Sequence, residues 1–467
     1  MKKLTKSVFG LLCAGAFVVA GVTGCSGIKN IENDQQGIVY NGSVVSVGDY
    51  LFYANGFASG VNDYGTSSES EYNIAKQYSY LARTNASEHE GTKFENSSEV
   101  NKISDRIAGY SNIYMFVAGD YIYYATPNMH KTGENKHVWT YVSIMRCKLD
   151  GSKSEEIYTT KAYNSTTAQI RALNYDSKNY LVIYDGTNLV RIDLSGKTSV
   201  KEISNAVTSV ALPKEKESWN GEIYFTENRV SLAGQNGNVV YKASIKNGEK
   251  SVACQENGLT ITFTGRVSDK LFYTREAGSI KETYTLDLLT KGTKSFNTAG
   301  ELFYSLEIAN IEGIAETNTM FNGVVFSTTK SSATQIMYYN YYQAQINQSY
   351  EAQTFVEADY ANTVVVYGED FYYSTANGIF KKSVLGGDAQ TIVSDMTITS
   401  GKNYFGYDYY YVDGEIAKLN NIYFYAEHVY DESAEDYDSE TATDKTVYLY
   451  GVDASGVRQP KLFSKEK

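Results

Sequence analysis

Along most of the chain, apolar and polar positions alternate in short runs rich in Tyr, Phe, Val and Ile, broken by Gly, Asp or Asn at intervals of about 8–12 residues. A period of two with β-branched and aromatic enrichment predicts strands with one face buried, joined by tight turns. No long stretch carries the 3.6-residue period of an amphipathic helix. The chain is therefore expected to be all-β.

One phrase, a polar or glycine turn followed by an apolar-aromatic strand, recurs eight times. It reads DYLFYAN from Asp49, DYIYYAT from Asp120, NYLVIYD from Asn179 and GEIYFTE from Gly221, then DKLFYTR from Asp269, GVVFSTT from Gly323, DFYYSTA from Asp370 and NIYFYAE from Asn421. The starts lie 42 to 71 residues apart, about 53 on average. Most copies are followed by a second strand running into a Gly turn, as in SIMRCKLDG ending at Gly151, LVRIDLSG at Gly196 and VYKASIKNG at Gly248. Glycine there supplies the positive φ of a tight hairpin. A third short strand follows (EEIYTT, VKEIS, PKLF), and another β-like run precedes each phrase.

Each unit thus reads as four antiparallel strands. A unit of about fifty residues cannot bury both of its faces alone, and radial stacking of such units solves the problem. The expected architecture is a single β-propeller over residues 38–467, with about eight four-stranded antiparallel blades, or seven if the weak third or sixth copy is absorbed elsewhere. A string of β-sandwiches and a solenoid are the rival architectures. Ring closure stays open: PKLF at 460–463 reads as an outer strand already in place, and Ile38-Val39-Tyr40 is a candidate to pair beside it and latch the termini.

The phrase also carries a family resemblance. YFTE at 224–227 is similar to the Tyr-Trp-Thr-Asp phrase of the propellers of low-density-lipoprotein-receptor-type proteins, and IMRCKLDGS at 144–152 looks like the strand and turn that follow it there. The fuller resemblance is to bacterial lipoproteins with propeller domains of that kind, over roughly residues 38–465. It implies the fold and nothing about activity. Here the Trp is missing, the Asp is mostly replaced, and the receptor propellers have fewer blades than the eight copies counted.

Lys2, Lys3 and Lys6 precede an almost wholly apolar run from Val8 to Val22, too short and too abruptly ended for a stable spanning helix. It ends in Val22-Thr23-Gly24-Cys25. This resembles the bacterial lipoprotein signal, in which small residues precede a Cys that is acylated and becomes the new N-terminus. The resemblance implies a signal peptide over 1–24 and a lipid on Cys25, and two or three acyl chains make a stable anchor. Residues 25–37 then read as a lipidated N-terminus and short polar tether. The expected location is the extracytoplasmic face of a bacterial cell membrane.

Composition adds exclusions. With 42 basic against 54 acidic residues the net charge is −12, which argues against nucleic acid and against electrostatic docking on anionic lipid. Past the anchor no second apolar stretch is long enough to span a bilayer. Cys147 and Cys254 each sit in a strand-like run and are expected to be buried single thiols rather than a disulfide.

Catalytic signatures occur only as fragments. Ser327-Thr-Thr-Lys330 has the spacing of penicillin-interacting enzymes, with Lys131-Thr132-Gly133 as a second box, but the order is reversed and Ser327 lies at a strand end rather than a helix start. Ser195-Gly196-Lys197-Thr198 ends like a phosphate loop, yet Arg191 stands where its first Gly belongs, so it reads as a hairpin turn. None of His89, His130, His137 and His428 has a zinc-like partner spacing. The acidic run at 431–444 lacks the alternation and central Gly of an EF-hand and reads as a solvated loop, with Ca²⁺ binding left open. No cofactor and no metal site is expected.

Most of the 43 tyrosines lie inside strand phrases, where core packing is the default. Those outside are better candidates for recognition, since Tyr offers a flat apolar face with a hydrogen-bonding rim. In a propeller the connection between the second and third strand of every blade emerges on one common face. Three copies lengthen it: residues 54–77, 125–140 and 426–446, in the first, second and eighth units. Ring closure would make those units neighbours, raising a crest on one sector. The crest holds Tyr64, Tyr72, His130, His137, Trp139, His428, Tyr430 and Tyr437. Long connections on a rigid scaffold are where binding usually resides. The expectation is a non-catalytic binding or scaffold module for a protein or glycan at the cell surface. Two alternatives stand beside it: a glycan-cleaving hydrolase or lyase with its site in the central funnel, and a structural subunit of a surface complex.

Overall fold

The computed structural model describes Ile28, residues 31–33 and 38–40, and from Val44 onward the strands with most of the short turns between them. Residues 1–27, 56–79, 86–100, 108–114, 128–140, 296–307, 312–322, 394–401, 406–422, 432–445 and 453–457, and some shorter stretches, lie outside that description. The described residues form thirty-three strands grouped into eight antiparallel sheets. None of their helices is long and apolar enough to cross a membrane.

The first sheet is β2 (Val44–Val47), β3 (Tyr50–Asn55), β4 (Tyr80–Asn85) and β5 (Asn101–Ile107). The second is β6 (Phe116–Ala118), β7 (Tyr121–Pro127), β8 (Val142–Lys148) and β9 (Glu155–Thr159), joined at its inner edge by β1 (Ile38–Tyr40). The third is β10 (Gln169–Tyr175), β11 (Lys178–Tyr184), β12 (Leu189–Asp193) and β13 (Ser199–Ser204). Five further four-stranded sheets follow in the same consecutive order. In every sheet the recurring phrase occupies the second strand, from Tyr50–Asn55 to Tyr423–Asp431.

Neighbouring sheets stack through apolar layers. Val45, Phe52 and Leu81 of the first sheet meet Val117, Ile122, Tyr124 and Met145 of the second. Ala125 and Ile144 of the second meet Ile170, Leu181 and Ile183 of the third. The third meets the fourth through Leu173, Val182, Ile223 and Phe225, and the fourth meets the fifth through Tyr224, Val240, Phe263 and Leu271. First strands of successive sheets lie beside one another, as Val207–Ala211 with Thr260–Val267, and Ile308–Ile311 with Asn362–Tyr367. Four-stranded meanders stacked face to face with their first strands gathered together are a β-propeller. The outer strand of the fourth sheet is barely covered, every residue of Lys250–Gln255 being exposed. Cys254 is consequently an exposed thiol, contrary to the sequence expectation, whereas Cys147 is buried as expected.

The N-terminal strand departs from expectation too. β1 does not pair beside Lys461–Phe463. It pairs antiparallel with β6, with Ile38 opposite Ala118 and Tyr40 opposite Phe116, and also lies against β2 and β10. The last sheet draws all four strands from the C-terminal part of the chain, ending with Arg458–Lys465. Ahead of β1, Ile28 and Ile31 pack half-buried against the layer between the first and second sheets, and Asn33 Nδ2 donates to the Gly119 carbonyl at 3.1 Å. The polar pattern of this segment hid those contacts, because the two isoleucines face a groove made by residues far along the chain.

Candidate recognition surface

An antiparallel meander places its first-to-second and third-to-fourth turns at one end and its second-to-third connection at the other. The connections of the first kind include the short turns Gly119-Asp120, Asp150-Gly151 and Ser195-Gly196, and we term the face that bears them the short-turn face, although 86–100, 212–221, 312–322, 341–352 and 406–422 join strands at the same end. Gly196 takes a φ of 75°, and Ser195 N–H donates to Asp193 Oδ1 at 2.8 Å, so the apparent phosphate-loop ending is a hairpin turn.

The opposite face is uneven. In the third sheet residues 185–188 close the connection around the buried Asp185. Its carboxylate accepts from the backbone N–H groups of Thr187 (3.1 Å), Asn188 (2.7 Å) and Ala162 (3.2 Å), and from Asn188 Nδ2 (2.9 Å). Hairpins in the fifth, sixth and seventh sheets close within two residues, with Ala277 opposite Ile280, Lys330 opposite Ala333 and Thr375 opposite Gly378. The fourth is intermediate, at 229–237. The first, second and eighth sheets carry 56–79, 128–141 and 432–445 at the same position. Ser327 and Lys330 belong to a strand, Gly323–Lys330, so the helix-borne arrangement of penicillin-interacting enzymes is absent there.

Of the expected crest residues, Tyr64, Tyr72, His130, His137, Trp139 and Tyr437 lie outside the described residues, as do Cys25 and the acidic run after Asp431. His428 and Tyr430 lie within the strand Tyr423–Asp431, opposite Phe405 and Asn403. The connection in the eighth sheet therefore starts at 432 rather than 426. These two residues mark the last turn of a strand leading to the surface, not the insertion itself.

The described phrase tyrosines have structural partners. The first tyrosine of the phrase lies under a basic residue of the third strand in three successive sheets: Arg83 over Tyr50 at 4.7 Å, Arg146 over Tyr121 at 4.6 Å and Arg191 over Tyr180 at 5.5 Å. In the fourth sheet the same two positions hold Glu222 and Lys242, which form an ion pair at 2.5 Å. A cation over an aromatic face is thus exchanged for a charge pair at one site of the repeat. The signal was present in the sequence as a recurring Arg or Lys in the third strand, but only the register shows which tyrosine it covers. Burial pushes the hydroxyls of Tyr158, Tyr224, Tyr338 and Tyr339 up to about 12. It does the same to the Cys147 thiol. These groups stay protonated across the physiological range and serve packing.

No protein-family model matches the chain, and no curated protein does. Solved structures of similar architecture include a prolyl endopeptidase (9% identity over 86% of this chain and 55% of that one, TM-score 0.42). They also include the β-propeller domain of the Trilobed protease from Pyrococcus furiosus (13%, 75% and 97%, TM-score 0.41) and oligogalacturonate lyase from Vibrio parahaemolyticus (11%, 72% and 86%, TM-score 0.39). The chain spans 55%, about half, of the prolyl endopeptidase's length. At these identities the likeness concerns the fold alone.

Proposed function

We propose that this protein is a lipid-anchored, extracytoplasmic recognition module that binds a protein or glycan at the cell surface without catalysis of its own. The observation that carries the reading is the contrast on one face: residues 56–79, 128–141 and 432–445 are inserted where the third, fifth, sixth and seventh sheets close in two to four residues and the fourth in nine. The scaffold beneath the first two is tightly packed, with Phe52, Leu81, Ile122 and Val142 fully buried, so variation there is free of cost to the core. Tyr64, Tyr72, His130, Trp139 and Tyr437 supply the aromatic and polar surface, with His428 and Tyr430 at its base. Cys25 carries the lipid.

Two described carboxylates have a displaced proton affinity, and both are held in the ionised form. Burial pushes Asp150 up, but hydrogen bonds from Ser152 outweigh it, and Lys246 holds Asp176 low. That direction suits ion pairing and not proton donation to a glycosidic oxygen. Crosslinking and affinity capture from intact cells tests the proposal, comparing the full chain with a variant in which the three connections are cut to tight turns and which keeps its circular dichroism. Capture by the full chain alone supports recognition through this face. Equal capture by both forms overturns it.

A further inference from the structure

We infer that Ile28, residues 31–33 and β1 strap the N-terminal segment to the propeller, and that they fix the short-turn face toward the membrane and the three long connections away from it. The inference rests on the anchor at Cys25 proposed above and adds an orientation to it. Three contacts dock the segment, and two of them place it at one face. Ile28 and Ile31 pack half-buried against the apolar layer between the first and second sheets, which extends from Val47 and Leu149 to Leu81 and Met115 and so fixes no face by itself. Asn33 bonds to the carbonyl of Gly119, inside the turn between β6 and β7.

The third contact is the register of β1. Ile38 opposes Ala118, the residue next to that turn, whereas Tyr40 opposes Phe116 at the far end of β6. β1 therefore runs away from the short-turn face along the inner edge of the second sheet. The chain then begins β2 from the other side. Only residues 26 and 27 separate Cys25 from Ile28, a reach of at most ~10 Å for fully extended chain. A body docked at the end of so short a lead cannot turn its opposite face to the bilayer.

On the short-turn face Asp120 is paired with Lys148 at 2.7 Å and Asp176 with Lys246 at 2.6 Å, which lessens the repulsion of anionic headgroups by these two acids.

The test uses mature full-length protein reconstituted into phosphatidylcholine vesicles that carry a spin-labelled headgroup quencher. The exposed thiol is removed by Cys254→Ser, and a fluorophore is placed at Ser195→Cys or at Thr187→Cys. These exposed residues flank the two ends of β12, one on each face. We expect quenching several-fold stronger at 195 than at 187. A flexible Gly/Ser insert of about twenty residues between Gly27 and Ile28 should abolish the difference, and so should Ile28→Asp with Ile31→Asp. Equal quenching of the two sites in the unmodified background, or stronger quenching at 187, overturns the orientation.

Mass spectrometry of the mature N-terminal peptide separates the two layers. An acylated Cys25 with equal quenching leaves the anchor standing and removes the strap's role. An unmodified Cys25 removes the anchor and the orientation with it. Slow amide hydrogen exchange at 38–40 in that same protein would then still report the docked β1.

Discussion

Between its second and third strands the third sheet carries only residues 185–188, whereas the second sheet carries 128–141. Elsewhere the two are near copies. Ile144 and Val142 of one and Ile183 and Leu181 of the other fill a single apolar layer. Each has an arginine of the third strand lying over the first tyrosine of the phrase. In the third sheet the connecting turn is an internal structure, its backbone N–H groups collected by one buried carboxylate. In the second the same position holds the longer run 128–141. A repeat can therefore hold its packing constant while the length of one connection varies.

The comparison can be broken most severely at high pH. Burial raises the hydroxyl of Tyr158 in the second sheet to about 12, and burial followed by the nearby Asp185 raises that of Tyr184 in the third. A raised folded value means that this stability is complete below the unfolded tyrosine value of ~10 and is lost as pH rises through the folded value, which for Tyr158 is about 12. Tyrosinate absorbance and loss of circular dichroism should rise together in that window. Tyrosinate forming in an intact fold would show that the two sheets are looser than described.

Next in size are the core truncations. Ile122→Ala in the second sheet and Leu181→Ala in the third should each cost ~3 kcal/mol in chemical denaturation, because both side chains are fully buried. A large inequality would mean that the longer connection has loosened its sheet. Asp185→Ala should cost about 2 kcal/mol by leaving the turn's N–H groups unpaired. The smallest effect is expected from cutting 128–141 to a two-residue turn. Stability should stay within about 0.5 kcal/mol, while partner capture falls, which together would separate scaffold from recognition surface.

Much of this scaffold was legible before any coordinates. The eight phrases are the second strands of the eight sheets, since an alternating aromatic strand buried on both sides by neighbouring sheets leaves a strong period-two signal. The fourth strands were legible as elements but not in their exposure. Val252 and Cys254 look like core residues in sequence, yet they lie on an outer edge where adjacent sheets diverge. Least legible was β1. Three residues carry no register information of their own, and their partner, Phe116–Ala118, lies across the whole first sheet in sequence. Of the proposed recognition surface, the positions of the three long connections were readable to within about six residues. The basic partners of Tyr50, Tyr121 and Tyr180 were not, because which residues face each other across two strands depends on register and not on composition.

The position of β1 has a mechanical consequence. Tension applied at the N-terminus reaches the body first through the docked Ile28 and Ile31 and then through the short ladder between β1 and β6, which runs lengthwise along the inner edge of the second sheet. Such a pull shears that ladder as a unit instead of peeling an outer strand bond by bond. Because β1 is a fifth strand added to the second sheet, losing it under load would leave every sheet with its own four strands. With the anchor proposed above, the β1 ladder gives way before any four-stranded sheet does.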